Sequence, residues 1–280
     1  MTDFRALITG ASRGLGRCIA AEFWNHGCHL AVVARPSAAL DELAADLRSR
    51  GTQELQIIPA DLSDPSAPAA VIDRLRGKWD RLDALVNNAA ISGPIGRFWE
   101  NDWRHWQETL QVNLVAPVAL CHLAIPLMRR GSSIVNLSGG GATGPRPNFS
   151  AYSTAKAALV RFTETLAQEV AELAIRVNAI SPGIMATRML DDVARAGPQL
   201  AGDDYQRALD TQRNGGEPPE RAAALAWYLA SPASAGITGR LISAVWDPWP
   251  NLSAHVDELR KSDIYTLRRI TPEDRGKQWT

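Results

Sequence analysis

The chain has 280 residues, and its 30 Lys and Arg balance 30 Asp and Glu, so its formal net charge is zero. That balance, with no basic block anywhere, argues against a charge-driven nucleic-acid face, and the length suits one α/β domain. Cys18, Cys28 and Cys121 form no C-x-x-C pair and the five histidines form no H-x-x-x-H pair, so neither a disulfide framework nor a metal site is expected.

The opening MTDFRALITG runs directly into a short apolar strand without a basic leader. No stretch approaches 18 uninterrupted apolar residues, so a cytoplasmic protein without a membrane span is expected. Strands are predicted at Ala6–Thr9, His29–Ala34, Leu55–Ile58, Ala84–Val86, Ser133–Leu137, Ile175–Ala179 and Leu241–Val245. Helical periodicity fills most of the intervals, as at Leu15–His26, Ala38–Arg50 and Pro65–Gly77. This alternation predicts a parallel sheet covered by helices on both faces. Such a sheet binds ligands beyond the carboxyl ends of its strands. No linker and no internal repeat divides the chain, so residues 1–245 read as one domain. Residues 185–216 have no clean strand and read as an insertion in it, either a lid or a surface loop. The stretch 246–280, with WDPW and then a mixed-charge helical segment, reads as an extension.

The residues after each strand carry the chemistry. TGASRGLG follows the first strand, with Gly10, Gly14 and Gly16 where strand turns to helix. Glycines there permit a tight turn and let a pyrophosphate approach the helix N-terminus, although close helix–strand packing would demand them too. The second strand ends in AVVAR without the carboxylate that would read a free ribose 2′-hydroxyl. Arg35, with Arg13 from the glycine turn, suits a 2′-phosphate and favours NADP(H) over NAD(H). Asp61, in PADLSD, is placed either to accept from an adenine amino group or to cap a helix. NNAA, from Asn87 to Ala90, offers small residues for a cofactor to lie against and an Asn to tie neighbouring strands. Tyr152 and Lys156 are four apart and share one helix face. Bringing a phenol from a pKa near 10 to work as a base at neutral pH takes about 4 kcal/mol of preferential phenolate stabilisation, for which a nearby ammonium is one source.

Taken together, TGASRGLG, NNAA, the Asn of LQVNL, YSTAK and SPGIMAT resemble the short-chain dehydrogenase/reductase family in its compact single-domain branch, over about residues 5–245. The resemblance implies a Rossmann-type doubly wound parallel sheet of about seven strands, a nicotinamide cofactor and hydride transfer between a carbonyl and an alcohol. Carried onto this sequence, it makes Tyr152 the general acid/base, and Lys156 the ribose ligand that lowers its pKa. Asn113 becomes the support of a proton-relay water. The cofactor site comprises Gly10, Ser12, Arg13, Gly14, Leu15, Gly16, Arg35, Asp61, Leu62, Asn87, Ala89, Tyr152, Lys156, Pro182, Gly183, Ile184 and Thr187, the last residues bracketing the carboxamide. A homodimer or homotetramer is implied through the helix carrying Ala155, Ala158, Leu159, Phe162 and Leu166. The extension 246–280 would then embrace a neighbour or pack on its own surface.

Three departures stand out. Ala90 replaces the family's glycine, VWDPW replaces its last turn, and the serine expected thirteen positions before the tyrosine is Gly139. Ser138 lies one residue earlier. Either the glycine run lets Ser138 reach the substrate oxygen, or a backbone N–H or Thr143 holds it. The Trp, Phe, Arg, Asp and Asn of 92–106, 146–149 and 185–216 point to a small polar substrate rather than a plain fatty chain.

Overall fold

A computed structural model describes residues 3–279. Its frame is a seven-stranded sheet: β1 (Arg5–Thr9), β2 (His29–Ala34), β3 (Leu55–Pro59), β4 (Leu82–Asn87), β5 (Met128–Leu137), β6 (Arg176–Ser181) and β7 (Leu241–Ser243). All pairings are parallel, in the order β3-β2-β1-β4-β5-β6-β7. The winding reverses between β1 and β4, which opens a crevice at their carboxyl ends. Both faces of the sheet are buried, so the strands are apolar runs without alternation. In β1, Ala6 and Ile8 enter one core with Ile19, Phe23, Leu43 and Leu229, while Leu7 enters the opposite core with Val71, Leu75, Leu120 and Leu166.

Helices α1 (Gly14–Asn25), α2 (Ala38–Arg50) and α3 (Ala67–Arg76) follow the first three strands close to their predicted bounds. After β4 come α4 (Trp103–Leu110), a π-helical stretch at Gln111–Val115, and α5 (Ala116–Ala124). The run Trp103–Leu127 is long and apolar enough to cross a membrane by length and composition. Here it packs on α3 and α6 (Ser150–Glu169), with Ala116, Leu120, Cys121 and Ala124 in the core. On α6, Ala155, Leu159 and Leu166 also turn inward, and Ala158 and Phe162 are half-buried.

The insertion is helical. It folds as α7 (Arg188–Ala201) and α8 (Asp203–Asn214), closed at its base by an isolated bridge between Met185 and Gly216. The polar composition hid an amphipathic pattern in which Met189, Leu190, Val193, Ala201, Tyr205 and Ala208 pack against Phe149 and Tyr152. α7 breaks at Gly197 (φ 79°), just before Pro198. α9 (Pro219–Ala230) leads to β7. Beyond β7, a 3₁₀ turn at Trp249–His255 and α10 (Val256–Lys261) precede an irregular stretch with one further 3₁₀ turn at Glu273–Arg275. That stretch lies on its own chain: the Arg240 guanidinium donates to the carbonyls of Leu259, Ser262 and Ile264, and Leu241 N donates to Tyr265 O at 2.9 Å.

Candidate active site

A cleft of about 1230 Å³ lies at the carboxyl ends of the strands. That exceeds the few hundred to 1,000 Å³ of an ordinary small-ligand pocket. It is lined by Gly10, Ser12, Arg13, Gly14, Leu15, Gly16, Arg35, Asp61, Leu62, Ala89, Ser138, Tyr152, Lys156, Pro182, Gly183, Ile184 and Thr187. Two residues expected at the site stand behind its wall. Asn87 is buried between strands, its Nδ2 donating to Asn136 Oδ1 at 2.9 Å and to Cys121 Sγ at 3.4 Å. Asn113 is fully buried in the π-helical stretch, where it holds Ile91 by both backbone groups: Ile91 N donates to its Oδ1, and its Nδ2 donates to Ile91 O, each at 2.9 Å. The loop after β4 is thereby fixed against the cleft.

The three glycines of the first turn have different reasons. A Cβ on Gly16 would fall 2.1 Å from Gly10 O, and one on Gly10 would fall 2.8 Å from Ala89 Cα, so both are demanded by the chain's own packing. Gly14 (φ 52°) meets nothing nearer than 3.7 Å and leaves the turn open. The first turn of α1 contains no acidic residue and its N-cap makes no side-chain bond, so its N–H groups remain free for an anion. Arg13 and Arg35 line the same end of the cleft and are exposed. Arg17 nearby is engaged with Glu42 and Asp46, whereas neither Arg13 nor Arg35 forms an ion pair among the described residues. Asp61 Oδ1 accepts from Ser63 N at 3.0 Å and so braces a turn; α3 begins later, at Ala67. Ala90 has no left-handed strain, since it is absent from the positive-φ residues.

Tyr152 and Lys156 stand on the first two turns of α6, both buried. Lys156 Nζ donates to Leu137 O at 2.7 Å and lies 5.7 Å from the Tyr152 ring centroid. Desolvation lowers the Lys156 pKa to about 8. The Tyr152 phenol is pushed above its usual pKa by burial, and the charge that draws it back down is Arg146. Arg146 Cζ is 5.8 Å from that ring. The phenol is thus held neutral, as a proton donor. Ser138 continues β5, its N–H donating to Ile180 O at 2.8 Å, and its Oγ is buried with no hydrogen-bond partner. Gly139 faces the phenol directly: a Cβ there would sit 2.4 Å from Tyr152 Oη. Thr143 is exposed at the rim.

Several residues that single-residue reasoning overlooked also build the site. Asn88 Nδ2 donates to the carbonyls of Thr9 (2.9 Å) and Gly10 (3.2 Å), clamping the glycine turn to β4. Its position beside Asn87 was the available signal. Ser92 Oγ donates to Asp192 of α7 at 3.1 Å, and Arg146 Nε donates to Asp204 of α8 at 2.6 Å. These links hold the insertion helices over the cleft. Among the described residues, no group of three or more His, Cys, Asp or Glu is gathered as for a metal.

A family profile described as enoyl-(acyl carrier protein) reductase matches residues 10–244. An uncharacterized oxidoreductase of Mycobacterium tuberculosis is 32% identical over 266 residues, 92% of this chain and 97% of that protein. Human dehydrogenase/reductase SDR family member 4 is 31% identical over 245 residues, 85% of this chain and 84% of its own length. Among solved structures, L-sorbose reductase from Gluconobacter frateurii, complexed with NADPH and L-sorbose, is 29% identical with a TM-score of 0.77, covering 86% of this chain and 95% of that one. The profile match spans most of the chain, and relatives of more than 30% identity cover well over two thirds of it: the chain belongs to the short-chain dehydrogenase/reductase family of oxidoreductases.

Proposed function

We propose that the protein is an NADP(H)-dependent oxidoreductase that interconverts the carbonyl and the secondary alcohol of a small polar substrate. The observation that carries this reading is one continuous cleft. A glycine turn with free helix N–H groups and two unpaired arginines lies at one end, and a buried tyrosine–lysine pair lies at the other. The residues fit the cofactor: Gly14 leaves open space for a pyrophosphate, and Arg13 and Arg35 supply guanidinium forks suited to a 2′-phosphate. The NADPH in the L-sorbose reductase structure supports the same choice. When bound, NADPH supplies the hydride that adds to the carbonyl carbon while the oxygen takes a proton.

The chain supplies the rest. Tyr152 Oη gives the proton to the developing alkoxide, and the Arg146 charge, which opposes the rise in pKa that burial causes, favours that transfer. Lys156, whose amine is anchored on Leu137 O at the cleft wall, would hold the ribose hydroxyls. Asn113, bonded to both backbone groups of Ile91, positions the wall against which the nicotinamide rests. Pro182, Gly183, Ile184 and Thr187 frame the carboxamide. Ser138 Oγ, buried and unpaired, is the hydroxyl available to share the substrate oxygen with the phenol. The insertion α7–α8 serves as the lid. The half-buried Ala158 and Phe162 on α6 support self-association through that helix. The three free thiols fit a reducing, cytoplasmic setting.

The test is Tyr152→Phe. It should cut kcat for carbonyl reduction by about 10²–10⁴-fold while cofactor affinity, read by quenching of intrinsic fluorescence, stays within about threefold. The absent hydroxyl at Gly139 favours a second reading, a cofactor-binding protein without turnover. Tight NADPH binding combined with no reduction across a carbonyl panel, before and after the substitution, would select it.

A further inference from the structure

Arg146 is the most constrained side chain at the substrate end of the cleft. Its guanidinium lies flat over Phe149, with Cζ 3.8 Å from the ring centroid, and its Nε is held by Asp204 at 2.6 Å. The side chain is only about a quarter exposed. Those two contacts fix the plane of the fork yet use just one of its five donors. Nη1 and Nη2 have no hydrogen-bond partner among the described residues, and neither is sealed from the cleft. The two aspartates of the insertion helices beside it are engaged, and Glu108, the other glutamate or aspartate lining this end, stands unpaired on α4 among the described residues. Asp204 is shared with Arg207 at 3.3 Å, and Asp192 accepts from Ser92 and pairs with Arg195 at 2.8 Å. What remains facing the phenol is a prepositioned cationic edge, 5.8 Å from the Tyr152 ring.

We propose that Arg146 is a specificity residue that binds the carboxylate of a short oxo acid, or of the matching hydroxy acid in the oxidative direction, through Nη1 and Nη2. This rests on the oxidoreductase reading above. A planar fork held on one side pairs bidentately with a carboxylate, at N···O distances of about 2.8 Å. With the guanidinium Cζ 5.8 Å from the Tyr152 ring centroid, a short acid spans fork and phenol together. Stacking on Phe149 and the bond to Asp204 remove most of the rotamer freedom that a free arginine would lose on binding. The lid enters the same contact: Asp204 lies on α8, so correct placement of the fork requires the insertion to be docked.

The experiment compares short 2-oxo and 3-oxo acids with their methyl esters, and follows NADPH consumption by wild type, Arg146→Met and Arg146→Lys. Wild type should prefer each accepted acid over its ester by at least about tenfold in kcat/KM, chiefly through KM. Arg146→Met should lose about 10- to 100-fold more on the acid than on the ester, with Arg146→Lys between wild type and Arg146→Met. Asp204→Ala, which removes the acceptor that fixes the fork, should raise KM for the acid more than KM for the ester. A wild type that uses acid and ester alike, or an Arg146→Met loss equal on both, overturns the assignment. Turnover of neutral ketones alone overturns it too and leaves the oxidoreductase reading standing. A second arm needs no turnover: calorimetric titration with the unreactive saturated acid should give saturable binding in wild type and Tyr152→Phe, and none in Arg146→Met. Absence of saturable binding in wild type is also decisive against it.

Discussion

Restoring the hydroxyl that the family places at position 139 should damage this enzyme rather than improve it. A Cβ on Gly139 would stand 2.4 Å from Tyr152 Oη and 3.3 Å from Cζ, where real Cβ atoms essentially never come within 3.0 Å of a neighbour. Ordinary contact begins near 3.4 Å, so the phenol would have to retreat by about 1 Å. It has little room to do so, because Tyr152 is packed among Phe149, Val193, Ala201 and Ala208. A displacement of about 1 Å at a reacting group costs on the order of 10²-fold in rate. Gly139 does not occupy the left-handed region, so the collision, not backbone strain, is what the substitution introduces. Gly139→Ala and Gly139→Ser should therefore both lower kcat for carbonyl reduction about 100-fold, with thermal stability and NADPH affinity near wild type. The assay is steady-state NADPH oxidation on the best carbonyl substrate, beside a fluorescence titration of cofactor. A Gly139→Ser enzyme as fast as wild type or faster would refute this account and place the phenol elsewhere during turnover.

Other outcomes follow from neighbouring groups. Arg35→Asp should raise KM for NADPH about tenfold or more and leave NADH within about threefold; equal effects on both would exclude a 2′-phosphate contact. Lys156 has a folded pKa of about 8 against an ordinary 10.5, so between those values the unfolded chain holds the extra proton and stability rises with pH. The gain is about 3 kcal/mol across that window, and Lys156→Met should abolish it, read as the pH dependence of the difference in unfolding free energy. A difference that stays flat from pH 8 to 10.5 would contradict the burial of that charge. Asn113→Ala leaves the Ile91 N–H and C=O unpaired, which should cost about 2–4 kcal/mol and lower Tm by about 5–15 °C in a thermal melt. Cofactor KM should rise in the same variant as the β4 loop loosens.

The sheet was the most legible part of the chain. Strands buried on both faces leave unbroken apolar runs, and the strands were located to within a few residues, with β5 starting five residues before its apolar core because Met128 pairs with Leu82 across an irregularity that precedes the Ser133–Ala84 pair. The insertion was illegible for a physical reason. Gly197-Pro198 and Gly202 interrupt its periodicity, and its apolar positions pack against Ile95, Phe149 and Tyr152, far along the sequence. The glycine turn and the Tyr152–Lys156 pair are readable because their geometry is local to one turn and one helix. Arg146 is not, because nothing in RPNF tells a solvated arginine from one stacked on an aromatic ring and tethered by an aspartate 58 residues away. Asn113 was singled out, but its partnership with Ile91 arises only when the π-helical stretch turns the side chain toward the β4 loop.

The last segment of the chain has a consequence for how copies of this protein meet. A terminal strand offers a row of unused N–H and C=O groups on which another polypeptide can extend the sheet. At β7 the molecule itself takes the edge N–H groups: Tyr265 O receives the Leu241 N–H and Asp247 receives the Ser243 N–H, while the Arg240 side chain ties down the carbonyls that lead up to Tyr265 and Glu164 receives the N–H of Leu267. Along this margin the protein carries its own stopper. Growth of the sheet from one molecule into the next is opposed along this margin.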